Sequence, residues 1–201
     1  MLITNTHLPG TAILSFQSGA PIGVIQDPII DPNSLKIIAF KLSGHFPGGT
    51  NILDTNSVRE YSQLGLIIDN EDELVTANDV VKISQVLSLN FNLVGLKVET
   101  KKGSKLGHIT GFTFTSEDFI IQQIIVKRPP LKAIIDPELV ISRKEIVEIT
   151  DYKVIVRDEE KVLKERAEKE DFIPNFVNPF RNNEFYPSPA HTETPADKDT
   201  E

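Results

Sequence analysis

The sequence predicts an all-β protein: two tandem small antiparallel β-barrels, a short charged C-terminal helix and a disordered tail. Three observations predict it. Short isoleucine- and valine-rich runs alternate with turn formers, a glycine-spaced signature occurs twice, and the apolar residues on either side of the two occurrences stay in phase. β-branched side chains suit a pleated surface and are slightly costly in helices. No strand–helix–strand alternation is visible, which argues against a parallel α/β sheet.

In chain order, "LPGTAI" (8–13) opens the first copy and leads to "SGAPIGVI" (18–25), then "KIIAFKL" (36–42) and "LGLIID" (64–69). The second copy opens with "LVGLKV" (93–98), followed by "KGSKLGHI" (102–109), "FIIQQIIV" (119–126) and "YKVIV" (152–156). Turn chemistry separates the runs at "DPNS" (31–34), "HFPGGTN" (45–51) and "KKGS" (101–104). Gly19 and Gly103 are 84 residues apart, as are Gly23 and Gly107; "LPGTAI" and "LVGLKV" are 85 apart. "SVREYSQLGLIIDNEDEL" (57–74) faces "EIVEITDYKVIVRDEEKV" (145–162) at an offset of 88. Drifting offsets with apolar positions in register are what loop insertions between fixed strands produce, so the chain reads as a tandem duplication. The expected units are 1–88, 89–163 and a charged end and tail over 164–201.

The paired glycines read as scaffold. Gly19 and Gly103 fall where a hairpin reverses and a residue tolerating positive φ is needed. Gly23 and Gly107 lie in the returning strand, where the apolar alternation slips by one residue, as at a bulge or bend that closes a small barrel. A phosphate-cradling loop would lead from the glycines into a helix, whereas here a strand follows.

The chain has 201 residues, no cysteine and a net charge of −8. Disulfides, thiolate metal sites and cysteine nucleophiles are thereby excluded. Residues 1–88 carry −5, residues 89–156 carry +2 and residues 157–201 carry −5. A balance this acidic disfavours general binding to nucleic acid or anionic lipid. No apolar run approaches the ~20 residues of a membrane-spanning helix. "MLITNTHLPG" has no basic leader and apolar core, so no secretory signal is expected and the expected location is cytoplasmic.

"LVGLKVETKKGSKLGHITGF" (93–112) resembles the opening of a PRC-barrel module, and "LPGTAILSFQSGAPIGVIQDPIID" (8–31) resembles a second, more divergent one. "VREYSQLGLIIDNEDEL" and "IVEITDYKVIVRDEEKV" are similar to the family's closing segment, where an aliphatic pair follows a short polar link. The likeness spans residues 8–75 and 93–163. It implies small β-barrels used mainly for protein contacts, with no catalytic residues to carry over. The family's settings are the cytoplasmic part of a photosynthetic reaction-centre subunit and a ribosome maturation factor. This chain departs from the first in that no membrane anchor is expected from its apolar runs. It departs from the second in carrying a PRC-like copy where the maturation factor has a different N-terminal domain.

No residue pattern points to catalysis, a metal or a cofactor. His7, His45, His108 and His191 share no metal-ligand spacing. Asp27 and Asp31 flank "PII" without further oxygen ligands in a recognisable loop, and "NEDE" (70–73) and "RDEE" (157–160) read as solvated connections. The basic residues of the second copy are candidates for partner binding: Lys101, Lys102 and Lys105 surround a hairpin tip, and Lys127, Arg128 and Lys132 flank "PPL". They would form a rim for an acidic partner or RNA phosphates; against that, loop and edge lysines also serve solubility. Residues 157–170 can form an exposed helix supported by Glu160–Lys164 and Glu165–Lys169. Phe172, Phe176, Phe180, Phe185 and Tyr186 follow in a proline-bearing polar tail. Those aromatics either fold back onto a barrel groove or form a linear binding motif. The expected protein is therefore a non-enzymatic adaptor with protein partners, self-association remaining open. The alternative is an RNA- or ribosome-associated maturation factor.

Overall fold

The structure, a computed structural model, describes residues 1–44, 46–130 and 137–158. Its strands are β1 (Leu2–Thr4), β2 (Ala12–Ser15), β3 (Pro21–Asp31), β4 (Lys36–Ser43), β5 (Ile52–Asp54), β6 (Val58–Ser62), β7 (Gly65–Ile68) and β8 (Leu74–Val75). After helix α1 (Val81–Ser88) come β9 (Lys97–Thr100), β10 (Lys105–Thr115), β11 (Ile121–Lys127), β12 (Glu138–Ser142), β13 (Ile146–Ile149) and β14 (Lys153–Val156). One sheet has the order β6-β7-β2-β3-β4-β5-β8; the other runs β12-β11-β10-β9-β14-β13, with β1 also paired to β10. Apart from β1 and β8, the two orders superpose as β2/β9, β3/β10, β4/β11, β5/β12, β6/β13 and β7/β14. Both orders are open paths.

The expected all-antiparallel pairing is corrected at one place in each sheet, since β2 runs parallel to β7 and β9 runs parallel to β14. The cause is topological. After the β3–β4 hairpin and β5, the chain turns through a 3-10 segment and returns across the sheet, so β7 arrives alongside β2 in the same direction. The long connection that a parallel pair requires is supplied by the intervening strands themselves. Both copies build this return in the same way. Asp54 caps the 3-10 turn Thr55–Ser57 by accepting from the Asn56 N–H, and Ser142 caps Arg143–Glu145 by accepting from the Lys144 N–H.

Strand alternation sends matching residues of both copies inward. Ile13, Ile25, Ile37, Phe40, Leu53, Leu66 and Ile68 pair off with Val98, Ile109, Ile121, Ile124, Ile141, Val154 and Val156, and none is more than 3% exposed. All of them belong to one continuous core. Burying each such side chain contributes ~1.5–3 kcal/mol. The described residues accordingly lie in one compact unit, Met1–Leu163.

The two copies meet about a local pseudo-twofold. Leu35 (φ +45) and Phe119 (φ +57) close the β3–β4 and β10–β11 hairpins, and both are buried. The Ile37 N–H donates to the Phe119 carbonyl (3.0 Å), and the Ile121 N–H donates to the Leu35 carbonyl (2.9 Å). Reciprocal bonds of this kind are the signature of an isologous contact. Arg143 reinforces the join from the second copy, donating to the Ser34 carbonyl (2.7 Å) and the Leu35 carbonyl (3.0 Å).

The outer faces differ. On the first sheet Ile29, Ile38, Ala39 and Ile52 form an apolar surface covered by Ile83 and Val86 of α1. This helix was not expected: "VVKISQVL" reads as β-branched, yet its apolar residues at 83 and 86 have helical spacing, and a sheet face lies beneath them to be covered. The second sheet has Thr113, Gln123 and Val140 at the positions of Ile29, Ala39 and Ile52, and so offers much less apolar surface. No helix among the described residues is long and apolar enough to cross a membrane.

Candidate functional site

The β9–β10 turn shows how local chemistry presents the first group of candidate cations. The Thr100 N–H donates to the Ser104 carbonyl and the Gly103 N–H donates to the Thr100 carbonyl, both at 2.9 Å. The buried Thr100 hydroxyl accepts from the Ser104 N–H (3.2 Å). Gly103 has φ +83 and its first-copy counterpart Gly19 has φ +67. Ser15, likewise buried, plays the part of Thr100, its hydroxyl accepting from the Ser18 N–H (3.2 Å). With the backbone groups satisfied internally, Lys101 and Lys102 are left exposed at the tip and Lys105 at the start of β10.

Gly23 and Gly107 occupy matching places for different reasons. Gly107 has φ +145, and a Cβ there would collide with the Lys127 carbonyl oxygen across the ladder. At Gly23 a Cβ would lie 2.6 Å from the Phe46 ring, which packs over Gly23 and Gly44. The β9–β10 register shifts between Lys105 and Gly107, and the β2–β3 register shifts between Ile13 and Leu14, opposite Gly23.

Lys127 ends β11 opposite His108 on one side and Glu138 on the other. Because β10 runs away from the β9–β10 turn and β11 runs back toward it, Lys127 and Arg128 point to the same end of the sheet as Lys101, Lys102 and Lys105. Lys102 Nζ lies 3.8 Å from an Asp158 carboxylate oxygen. The Arg128 N–H donates to the Pro137 carbonyl (3.0 Å). Lys132, the helix expected over 157–170 (apart from its first two residues), Phe172, Phe176, Phe180, Phe185 and Tyr186 lie outside the described residues, as do His45 and His191.

Sequence reasoning missed a further set. Lys97 faces Lys153 on β14 and His108 on β10, and His108 faces Lys127 on β11. Their neighbours Val98, Val154, Ile109 and Val126 point into the core, so the four basic residues share the outer face. Lys97, His108 and Lys127 are exposed, and Lys153 is half-buried with Nζ 3.2 Å from Glu99. The signal lay in comparing the copies: the equivalent row of the first sheet is Gly65, Ala12, Val24 and Ser43.

Two of the other carboxylates, Asp69 and Asp31, are held by polar partners. Asn70 caps a 3-10 turn over Glu71–Glu73, and Asp69 pairs with Arg59 at 2.6 Å. Asp31 is buried at the end of β3, where it accepts from the Ser34 hydroxyl (2.8 Å) and the Asn33 N–H (3.0 Å), 3.5 Å from Lys82 of α1. Burial pushes its pKa up, but the Ser34 and Asn33 hydrogen bonds and the Lys82 charge outweigh burial and hold it below the ordinary value. With the folded value depressed, its stabilising contribution is present above the unfolded carboxyl's value and is lost as pH falls through the folded one. Asp31→Asn is expected to lower stability at neutral pH and to flatten the loss of stability below about pH 4. Denaturant unfolding across pH checks this, and an unchanged acid limb would refute it. Among the described residues no group of His, Asp or Glu is placed to hold a metal ion.

A groove between β1 and the β6–β7 hairpin is lined by Met1, Leu2, Tyr61 and Leu64, and Leu64 is 77% exposed at the hairpin tip. No family model matches the chain, and no curated protein is significantly similar to it.

Proposed function

We propose that the protein is a non-enzymatic adaptor, a docking scaffold of two tandem PRC-barrel-like units acting in the cytoplasm. One observation carries the reading: the same strand order occurs twice with a matched inner face, while the outer faces have diverged. A duplicated scaffold with a common interior and different exteriors is suited to presenting two distinct surfaces. The aromatic segment Phe172–Tyr186 would add a second contact, and two modest contacts on one chain give avidity when their geometry matches.

The test is affinity capture with the full chain and with a chain ended at Lys169. A specific partner retained by both places recognition on residues 1–169; one lost on shortening places it in the aromatic segment. Failure of the full chain to hold any partner above background would sink the adaptor reading.

A second reading, an RNA- or ribosome-associated factor, is favoured by Lys101, Lys102, Lys105, Lys127 and Arg128 pointing toward one end of the second sheet. It requires binding to RNA or ribosomal particles that weakens steeply with salt and is lost on charge reversal at Lys101, Lys102 and Lys105. Salt-insensitive binding would eliminate it.

A further inference from the structure

The row Lys153–Lys97–His108–Lys127 stands on central strands. In the order β12-β11-β10-β9-β14-β13 each of its residues lies on a strand paired on both sides. Lysines that discourage edge-to-edge aggregation belong on edge strands, so that explanation does not reach this row. Folding does not require the charges either, because the same scaffold in the first copy places Gly65, Ala12, Val24 and Ser43 at the equivalent points. The duplication thus acts as an internal control: one copy shows what the strands need, and the other shows what has been added.

Adjacent strands are about 4.8 Å apart, so the row spans about 14 Å, the length of about four residues of an extended chain. Glu99 beside Lys153 and Glu138 beside Lys127 offset part of the charge, leaving Lys97 and His108 at the centre flanked by basic neighbours on both sides. Further along the outer face, Ile125 faces Val140, which is 45% exposed. Basic centre and aliphatic flank together match a polypeptide segment bearing carboxylates and aliphatic side chains. Single-stranded nucleic acid is bound by a basic groove combined with several aromatic side chains on which successive bases stack. Here the row holds lysines and a histidine, with one exposed aromatic, Tyr152, at its end.

We propose that the outer face of the second sheet, along Lys153, Lys97, His108 and Lys127, docks an acidic segment of a protein partner, with Ile125 and Val140 receiving an aliphatic side chain. This rests on the adaptor reading and names the chemistry of the partner.

The experiment uses the full chain and three fluorescent probes: a peptide of alternating glutamate and leucine, its glutamine analogue, and a single-stranded RNA of equal charge. The variant Lys97→Ala/His108→Val/Lys127→Ser imports the residues of the first copy. The glutamate peptide is expected to bind, to weaken with added salt, and to lose about tenfold or more in affinity for the variant. The glutamine analogue is expected to bind neither protein. Amide shifts of Lys97, His108 and Lys127 in the unaltered protein provide a second readout that does not depend on the variant folding. Absent peptide binding, equal binding by a folded variant, shifts confined to other residues, or tighter binding of RNA than peptide at this row each overturn the proposal. A partner captured equally by the unaltered chain and the variant would remove this face while leaving the adaptor reading intact.

Discussion

Gly107→Ala is expected to destabilise the protein by more than about 3 kcal/mol, in the range reserved for a few disruptive mechanisms. At φ +145 an L side chain is already strained. The larger effect is the collision. The new Cβ would press into the Lys127 carbonyl and lie 3.1 Å from Val126 Cγ1. β10 is held by β9 on one side and β11 on the other, so it cannot move away without breaking a ladder. Gly19→Ala is the control, since Gly19 also has positive φ (+67) but a Cβ there meets nothing within 4 Å. That change is expected to cost about 1–2 kcal/mol, the backbone strain alone. Gly23→Ala should fall between them, because the obstructing Phe46 ring is a side chain and can shift. Denaturant unfolding of the three variants decides the matter; a Gly107 variant no less stable than the Gly19 variant would contradict it.

That ranking shows what could and could not be read from residue order. The repeat itself was legible because local chemistry recurs: Gly19 and Gly103 close matching turns, and the runs 36–42, 64–69 and 152–156 become β4, β7 and β14. The run 119–126 begins too early, because Phe119 is a left-handed turn residue and β11 starts at Ile121. Periodicity carries no information about which strands are neighbours. The parallel pairs β2·β7 and β9·β14 therefore could not be read, nor could the passage of β1 to β10 of the other copy. α1 was hidden by its β-branched content, which the sheet face beneath it overrides. Of the candidate site, the turn lysines were visible as a cluster in sequence. The cross-strand row was not, since Lys97, His108, Lys127 and Lys153 are brought together only by register.

Phe119→Ala is expected to cost about 4 kcal/mol and to weaken both sheets at once. Its ring packs edge-on to Phe40 of the first copy (5.6 Å between centroids) and stacks on Phe114 of the second (6.2 Å). Its carbonyl accepts the Ile37 N–H, so the residue joins the copies through both side chain and backbone. Loss of the ring leaves a cavity beside the hairpin contact, where Lys36 bridges Ile120. Because Ile37 and Phe40 share a core with Ile121 and Ile124, unfolding is expected to remain a single transition, moved to lower denaturant. Amide exchange distinguishes a shared core from a local injury. Protection should fall by a similar factor over β3–β4 and over β10–β11. Loss confined to β10–β11, with β3–β4 as protected as before, would mean that each sheet is stable without the other and that the reciprocal hairpin contact is incidental.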